Sequence, residues 1–222
     1  MKDERLNAVK NFVRQGSKVA DIGTDHAYLP IELVKSRRVS KVIAADKNFF
    51  PCQAAIKNIS AEGLEKFIEV RQGDGLKVLQ VGEVDAICIS GMGGILIAEI
   101  LSATPEILNS VENLILQPMN AAEELKNFLR ENNWLIGDED LAEEGGIIYE
   151  IILAVKNSAE VSEVSKKKNS PLLGKFYAQK IEKLEKVETE MKKSSAAIQT
   201  EKFKNLQKKI SELKLKQKAI TF

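Results

Sequence analysis

Acidic residues and glycines recur after four short apolar segments of the chain. The four endings contain Asp21, Gly23, Asp25 and His26, then Asp46 and Lys47, then Gly73, Asp74 and Gly75, and finally Gly91, Met92, Gly93 and Gly94. Carboxylates accept hydrogen bonds from ribose hydroxyls and amino groups, and glycine lets the backbone approach a ligand closely. If the four endings share one edge of a sheet, they predict a site for a nucleoside.

The hydrophobic pattern predicts the elements that position these residues. Strand-like apolar runs lie at 18–22, 41–45, 67–71, 84–89 and 113–117, and they alternate with helical patterns at 3–14, 30–36, 50–62, 94–103 and 121–132. Two further runs, 134–144 and 147–155, adjoin across Gly145-Gly146 and predict a hairpin. The chain is therefore predicted to be an α/β protein. Its sheet is mostly parallel with one antiparallel edge strand, and ligands lie beyond the carboxyl ends of its strands.

The first of the four loops discriminates between nucleotide ligands. A dinucleotide fingerprint needs three glycines to receive a pyrophosphate, but only Gly23 is present and Asp25 stands where a phosphate would approach. This argues against a nicotinamide-dependent dehydrogenase and favours a ligand with positive charge and no phosphate. S-adenosylmethionine fits, with Asp46 on the ribose, Asp74 near the adenine, and the first loop near the sulfonium and the ammonium-bearing tail.

Four strings then resemble the bacterial TrmK family, which methylates N1 of adenine 22 in the D-arm of tRNA. They are Asp-Ile-Gly-Thr-Asp-His-Ala-Tyr-Leu-Pro at 21–30, Gly-Asp-Gly-Leu at 73–76, Gly-Met-Gly-Gly at 91–94 and Leu-Gln-Pro at 116–118. The resemblance covers nearly the whole chain and implies a class I Rossmann-like methyltransferase. Some members of the family have Asn directly after Leu-Gln-Pro. This chain differs, since Met119 follows Pro118 and Asn120 comes next.

The resemblance implies roles for particular residues. Cofactor contacts are expected at Asp21, Gly23, His26, Leu29, Asp46, Lys47, Gly73, Asp74, Gly75 and Gly91, and substrate contacts at Met92, Gly93, Gln117, Lys175, Lys180 and Lys183. Asp25 is the catalytic candidate. Adenine N1 attacks with its own lone pair, so the carboxylate is expected to stabilise the cationic product or to orient N6. The alternatives are that Asp25 only caps a helix and that the glycine run serves packing.

The glycine run at 91–94 stands where enzymes that methylate exocyclic amino groups carry Asn/Asp-Pro-Pro-aromatic. Its presence argues against an N6-directed enzyme and leaves space for a base presented edge-on. Because N1 lies on the Watson–Crick edge, the target adenine must be unpaired or flipped.

Charge is distributed unevenly along the 222 residues. Residues 1–156 contain 17 basic and 24 acidic side chains, whereas residues 157–222 contain 16 basic and 8 acidic ones. We expect a cofactor-binding domain over 1–156, a polar linker over 157–170, and from Pro171 two helices packed as an antiparallel, coiled-coil-like hairpin. Its lysines are expected to grip RNA phosphates; the alternative is an ordinary solvated helical face.

Composition excludes several other classes of protein. Cys52 and Cys88 cannot build a disulfide framework, which favours a reducing, cytoplasmic location, and the N-terminus lacks the apolar run of a signal peptide. The most apolar stretch, 86–101, is too short and too interrupted to span a bilayer. One histidine and two distant cysteines do not make a metal site. A methyltransferase acting on a small molecule or protein, and a non-catalytic adaptor, remain alternatives, and the oligomeric state is left open.

Overall fold

The computed structural model describes residues 3–156, 161 and 165–220. Seven strands form one sheet: β1 Val19–Ile22, β2 Val42–Asp46, β3 Ile68–Gln72, β4 Ala86–Met92, β5 Asn113–Pro118, β6 Leu135–Glu144 and β7 Ile147–Val155. The helices are α1 Glu4–Phe12, α2 Tyr28–Lys35, α3 Phe49–Ala61, α4 Gly94–Ser102, α5 Pro105–Ser110, α6 Ala122–Glu131, α7 Leu173–Met191, α8 Ser195–Ile198 and α9 Glu201–Lys218.

The strand order is β3-β2-β1-β4-β5-β7-β6. Strands β1 to β5 pair in parallel, and β7 runs antiparallel to both of its neighbours, β5 and β6. The chain order reverses direction at β1, which lies between β2 and β4, and open α/β sheets bind their ligands at such a switch point. The predicted mostly parallel sheet with antiparallel pairing at one edge is confirmed.

Both faces of the sheet are buried, which explains the continuous apolar runs of its central strands. On one face, Ile87 and Leu114 pack with α4 and α6 residues such as Leu101 and Leu125. On the other face, α1 and α2 cover β1 and its neighbours. The core therefore holds the carboxyl ends of β1, β2 and β4 rigidly beside one another.

Two details differ from the expected elements. Strand β4 continues through Gly91 to Met92, with a register shift between Ser90 and Met92 relative to β5. The chain also forms α5 and a 3-10 turn at Gly75–Val78. A bulge and one-turn elements add too few residues to create a readable periodicity.

The predicted C-terminal helical hairpin is present. Helices α7 and α9 run antiparallel, with Gln207 donating to Glu188 at 3.0 Å and Lys214 pairing with Glu185 at 2.7 Å. Phe176 of α7 packs against β6 and β7 in a small apolar cluster. In the described parts of the chain, no helix is both long and apolar enough to cross a membrane.

Part of the predicted linker over 157–170 is hydrogen-bonded to the sheet. Residues 157–160 and 162–164 lie outside the described residues, but Ser165 and Lys166 are held against β6. The Ser165 hydroxyl donates to the Glu139 carbonyl at 3.1 Å, and the Lys166 backbone amide donates to the Asp138 carboxylate at 2.9 Å. Residues 165 and 166 are therefore bound to the sheet, because oxygen atoms on β6 accept hydrogen bonds from them.

Candidate active site

A cleft of about 270 Å³ opens at the switch point of the sheet. Its walls are the loop after β1, the end of β2, the end of β4 from Ser90 to Met92, and Arg5 and Leu6 of α1. Of the predicted site residues, it brings together those listed here: Asp21, Gly23, Asp25, His26, Leu29, Asp46, Gly91 and Met92. Three of the four predicted strand endings, those of β1, β2 and β4, therefore meet at this cleft, whereas the ending of β3 does not line it.

The loop after β1 is bent sharply and tied to β2. The backbone amides of Gly23 and Thr24 donate to the Ala45 carbonyl at 2.7 and 2.9 Å. Gly23 has φ +79°, and Asp25 and Ala27 also lie in the left-handed region at +48° and +59°. Such conformations are unfavourable for residues with a Cβ and concentrate at ligand sites, because only the surrounding structure can maintain them.

Gly23 also lies close to the side chain of Met92. A Cβ there would lie 2.0 Å from Cε of Met92, the end of a flexible side chain, which would have to shift. This contact joins the end of β1 to the end of β4. The positive φ of Gly23 is the stronger reason for a glycine directly after β1.

Asp21 provides a carboxyl group at the bottom of the cleft. Burial raises its pKa to about 6. A hydrogen bond with the Thr24 side chain and the positive charge of Arg5 oppose this rise, and the negative charge of Asp46 adds to it. A carboxyl that is costly to ionise when buried becomes a strong acceptor once a cation is placed beside it.

Arg5 was not anticipated from the sequence. One Nη donates to Oε1 of Gln117 at 2.8 Å, and the other reaches Asp3 at 3.2 Å. The Gly91 backbone amide donates to the same Gln117 oxygen at 3.0 Å. Among the residues that line the cleft, Arg5 is the one with a permanent positive charge. Nothing local in the sequence marks it, since its partner is 112 positions away.

Gln117 was predicted to contact the substrate. In the structure its side chain is fully buried and fixes both Arg5 and the backbone of Gly91. These bonds give it a role in positioning the cleft wall.

Asp46 ends β2 at the mouth of the cleft. One carboxylate oxygen accepts hydrogen bonds from the backbone and side-chain amides of Asn48 at 2.8 and 3.2 Å. These bonds orient the carboxylate as a fixed acceptor. The Asp46 carbonyl accepts from the Gly73 amide at 3.0 Å, so the loop after β3 lies against the same strand end.

Asp25 and His26 lie on the rim. The Asp25 carboxylate is 66% exposed and its Oδ2 is 3.5 Å from Nε2 of His26. The His26 ring stacks on Tyr28, with 5.3 Å between centroids. The Asn58 side chain donates to the His26 carbonyl at 3.0 Å, which anchors the loop to α3.

A buried hydroxyl in the cleft wall favours a polar ligand. Ser90 Oγ is buried and has no hydrogen-bond partner among the described residues. A buried polar group is normally paired, so a ligand that donates or accepts a hydrogen bond there would satisfy it. Together with Asp21, Asp46 and Arg5, this hydroxyl fits S-adenosylmethionine, which carries a diol, an ammonium, a sulfonium and a carboxylate.

Four predicted cofactor residues, namely Lys47, Gly73, Asp74 and Gly75, do not line this cleft. Asp74 is 69% exposed and pairs with Lys77 at 2.7 Å, and the hydrogen bond from Lys77 lowers the pKa of this carboxyl. The contact from Gly73 to β2 keeps the loop adjacent to the cleft. A direct contact between the cofactor and this loop stays a prediction.

The last two glycines of the run contact the loop after β5. A Cβ on Gly94 would lie 2.3 Å from the Ala121 carbonyl oxygen, and one on Gly93 would lie 3.1 Å from Oδ1 of Asn120. The packing alternative therefore applies to Gly94. Gly93 adjoins the exposed Asn120 side chain, and its predicted substrate contact is untested.

The predicted RNA-binding lysines lie on α7, and none of them lines the cleft. Lys175 pairs with Glu143, and Lys180 pairs with Glu150 at 3.4 Å and lies 4.2 Å above the Phe176 ring. Lys183 is exposed. Two of the three amines are thus engaged with the acidic face of β6 and β7, and contact of any of them with RNA stays a prediction.

Comparisons with known proteins agree with this geometry. A family described as "Methyltransferase domain" matches residues 2–152. The tRNA (adenine(22)-N(1))-methyltransferase of Bacillus subtilis is 42% identical over 151 residues, which are 68% of this chain and 63% of that protein. The alignment therefore spans somewhat less than two thirds of that relative.

Solved structures extend the similarity to the hairpin. The crystal structure of B. subtilis TrmK is 31% identical with a TM-score of 0.76, covering 99% of this chain and 97% of that one. The chain belongs to the TrmK family. A candidate tRNA (m1A22) methyltransferase of Streptococcus pneumoniae, solved with S-adenosyl-L-methionine, is 35% identical with a TM-score of 0.83, covering 98% of this chain and 100% of that one. TrmK membership confirms the methyltransferase prediction and argues against the dehydrogenase.

Proposed function

We propose that this protein transfers the methyl group of S-adenosylmethionine to N1 of adenine 22 in the D-arm of tRNA. The observation that carries the proposal is the cleft at the switch point, which presents three carboxylates and one arginine to a single ligand. The TrmK relatives supply the identity of the substrate. A tRNA substrate also implies a cytoplasmic location.

The charges of the cleft match those of the cofactor. Asp46 would accept hydrogen bonds from the ribose hydroxyls, Asp21 would face the ammonium group, and Arg5 would face the carboxylate. The positive charge of Arg5 lowers the pKa of Asp21, so the two side chains lie in one region of the cleft. The ammonium and the carboxylate of the amino-acid tail would therefore both be paired there. Bound there, S-adenosylmethionine supplies an electrophilic methyl group.

Asp25 would act on the substrate base. Its exposed carboxylate lies on the rim, and the left-handed backbone holds it there. Methylation at N1 leaves the adenine ring cationic, and a carboxylate aimed at N1 or N6 stabilises that charge. His26, 3.5 Å from the carboxylate, would orient it toward the base.

The chain would divide the work between two parts. Residues 1–156 would bind S-adenosylmethionine and residues 157–222 would bind tRNA. Lys183 and further exposed lysines on the hairpin, such as Lys204 and Lys208, offer charge to RNA phosphates. Pairing of Lys175 and Lys180 with the sheet would fix the hairpin at a defined distance from the cleft.

A direct assay tests the activity. The protein is incubated with methyl-labelled S-adenosylmethionine and an unmodified tRNA transcript that carries adenine 22, beside a matched transcript with guanine at that position. Because N1-methyladenine blocks Watson–Crick pairing, reverse transcription should stop at nucleotide 22 in the first transcript only.

Three outcomes would contradict the proposal. Label incorporated equally into both transcripts would remove adenine 22 as the target, and label incorporated only into a protein or small molecule would favour the non-RNA methyltransferase. A protein that binds tRNA but no S-adenosylhomocysteine would be the non-catalytic adaptor.

A further inference from the structure

Large apolar side chains are exposed around the mouth of the cleft. They follow the carboxyl ends of four strands, β1, β2, β4 and β5, and we call them the apolar collar: Tyr28, Phe49, Phe50, Ile95, Leu96 and Met119. Phe50 is 81% exposed and Phe49 55% exposed. Exposed apolar groups that cluster at one functional edge of a protein usually mark a binding surface.

Contacts in the structure tie the collar to the cleft. Tyr28 itself lines the cleft and stacks on His26. The Met119 amide donates to the Met92 carbonyl at 2.8 Å, and Met92 forms part of the cleft wall. The other four members lie at the starts of α3 and α4, which follow β2 and β4, two of the strands whose ends form the cleft.

Phe49 and Phe50 begin α3, just beyond the carboxylate of Asp46. Their rings meet edge to face with centroids 5.7 Å apart, which orients two aromatic faces at the rim. The Asn48 bonds to Asp46 fix the start of this helix. The pair is thus held in place by the same residues that position the cofactor-binding carboxylate.

We propose that the apolar collar receives the nucleobases next to the target adenine, with Phe49 and Phe50 as the stacking platform. This inference rests on the proposed function. To expose N1, the target adenine must leave its stack, and its neighbours then lose a stacking partner. Aromatic side chains replace that partner without regard to sequence. An RNA occupant suits this edge because the target adenine has to reach the methyl group held in the cleft, which brings its neighbouring nucleotides to the mouth.

The test compares two exposed phenylalanine sites on opposite edges of the sheet. Phe67, 44% exposed, directly precedes β3 at the amino edge, where its carbonyl accepts from the Val42 amide at 2.9 Å. The double variant F49A/F50A should raise KM for the tRNA transcript about tenfold, whereas F67A should leave it unchanged. The dissociation constant of S-adenosylhomocysteine should be the same in all three proteins.

Two additional measurements separate stacking from other causes. Stacking releases no counterions, so the tenfold change should persist between about 50 mM and 200 mM salt. The variant F49Y/F50Y, which keeps both aromatic faces, should retain the wild-type KM.

The outcomes that overturn the collar are distinct from those that overturn the activity. An unchanged KM in F49A/F50A, or an equal change in F67A, overturns the collar while wild-type methylation stands. A change in oligomeric state with unchanged KM would also overturn it, in favour of a protein contact. A wild-type protein that does not methylate tRNA overturns the proposed function and the collar together.

Discussion

The cleft contains carboxylates that differ in environment and therefore in role. Asp21 is buried, Asp46 is held by Asn48 at the mouth, and Asp25 is exposed on the rim. Burial suits a carboxylate that pairs with a ligand cation, whereas exposure suits one that meets an incoming base. Position relative to the sheet, more than residue type, separates the cofactor ligands from the catalytic candidate.

Replacing Asp25 by Asn should reduce kcat about 100-fold, because the amide keeps the shape but cannot stabilise a cationic ring. The Kd of S-adenosylhomocysteine should not change, since Asp25 is placed on the substrate side. Single-turnover methylation and calorimetry measure the two quantities. Full turnover in D25N would remove Asp25 from the chemistry. The helix-capping alternative does not hold in the structure, because Ala27 is the N-cap of α2 and no side chain caps that helix.

Arg5 is expected to bind the cofactor carboxylate. The variant R5Q should weaken binding of S-adenosylmethionine about tenfold, or about 1.4 kcal/mol, because a charge-assisted hydrogen bond is lost. Decarboxylated S-adenosylmethionine provides the control, since wild type and R5Q should bind it equally. An equal loss for both ligands would show that Arg5 acts only through Gln117 and the cleft wall.

The raised pKa of Asp21, about 6, predicts a pH dependence. Below this value the carboxyl is protonated and cannot pair with an ammonium, so S-adenosylhomocysteine affinity should rise about tenfold from pH 5 to pH 7. The variant D21N should show a flat profile over the same range. A wild-type profile as flat as that of D21N would contradict the assignment.

The same raised pKa makes the stability of the ligand-free protein fall as the pH rises, whereas the ligand affinity increases. Because folding raises the Asp21 pKa above 3.8, the folded protein holds this proton more tightly than the unfolded chain. The stabilisation from this group is complete below pH 3.8 and is lost as the pH rises through about 6. The cofactor site thus destabilises the ligand-free fold at neutral pH, and a bound ammonium should relieve that cost.

At the scale of elements, a buried ion cluster joins the hairpin to the sheet. Glu150 of β7 pairs with Lys126 of α6, Lys167 and Lys180, and its side chain is only 4% exposed. Burial works against the charge of Lys126, but the carboxylates of Glu150 and Glu139 outweigh it and raise the pKa of this amine. The same three lysines hold the pKa of the Glu150 carboxyl well below its usual range despite burial.

Replacing Glu150 by Gln should lower the free energy of unfolding by about 3 kcal/mol, because buried amines lose their counter-ion. The matched control is E143Q, which breaks the half-exposed pair with Lys175 and should cost less than about 1 kcal/mol. Urea denaturation of both variants checks the difference. Equal effects would mean that the Glu150 cluster is screened like a surface pair.

At the scale of the whole molecule, the acidic body and the basic hairpin partly neutralise each other. The hairpin lysines Lys175 and Lys180 face Glu143 and Glu150 of β6 and β7. The basic side chains of the hairpin therefore form two groups. Lys175 and Lys180 attach the hairpin to the sheet, and the exposed lysines are available to an anionic partner.

Lys183 belongs to the second group because it is exposed, whereas the Lys180 amine contacts Glu150. The variant K183A should weaken tRNA binding and reduce the slope of log Kd against log salt by about 1. Filter binding over a salt series measures this slope, and cofactor affinity should be unaffected. An unchanged slope would place the RNA path elsewhere.

The sequence alone determined the alternation of strands and helices, the sheet with its carboxyl-edge site, and the family. Those features follow from local periodicity and from short strings such as 21–30, which are readable without long-range contacts. The end of β1 and the carboxylate of Asp46 were placed correctly for the same reason.

Only the tertiary structure decided which distant residues meet. Arg5 reaches Gln117 across 112 positions, Lys180 reaches Glu150 across 30, and the collar gathers side chains from four separate strand ends. None of these contacts has a periodicity, because each depends on how the elements pack. For Asp74, the sequence predicted the position after β3. The folded loop decided its ion pair with Lys77 and left it outside the lining of the cleft.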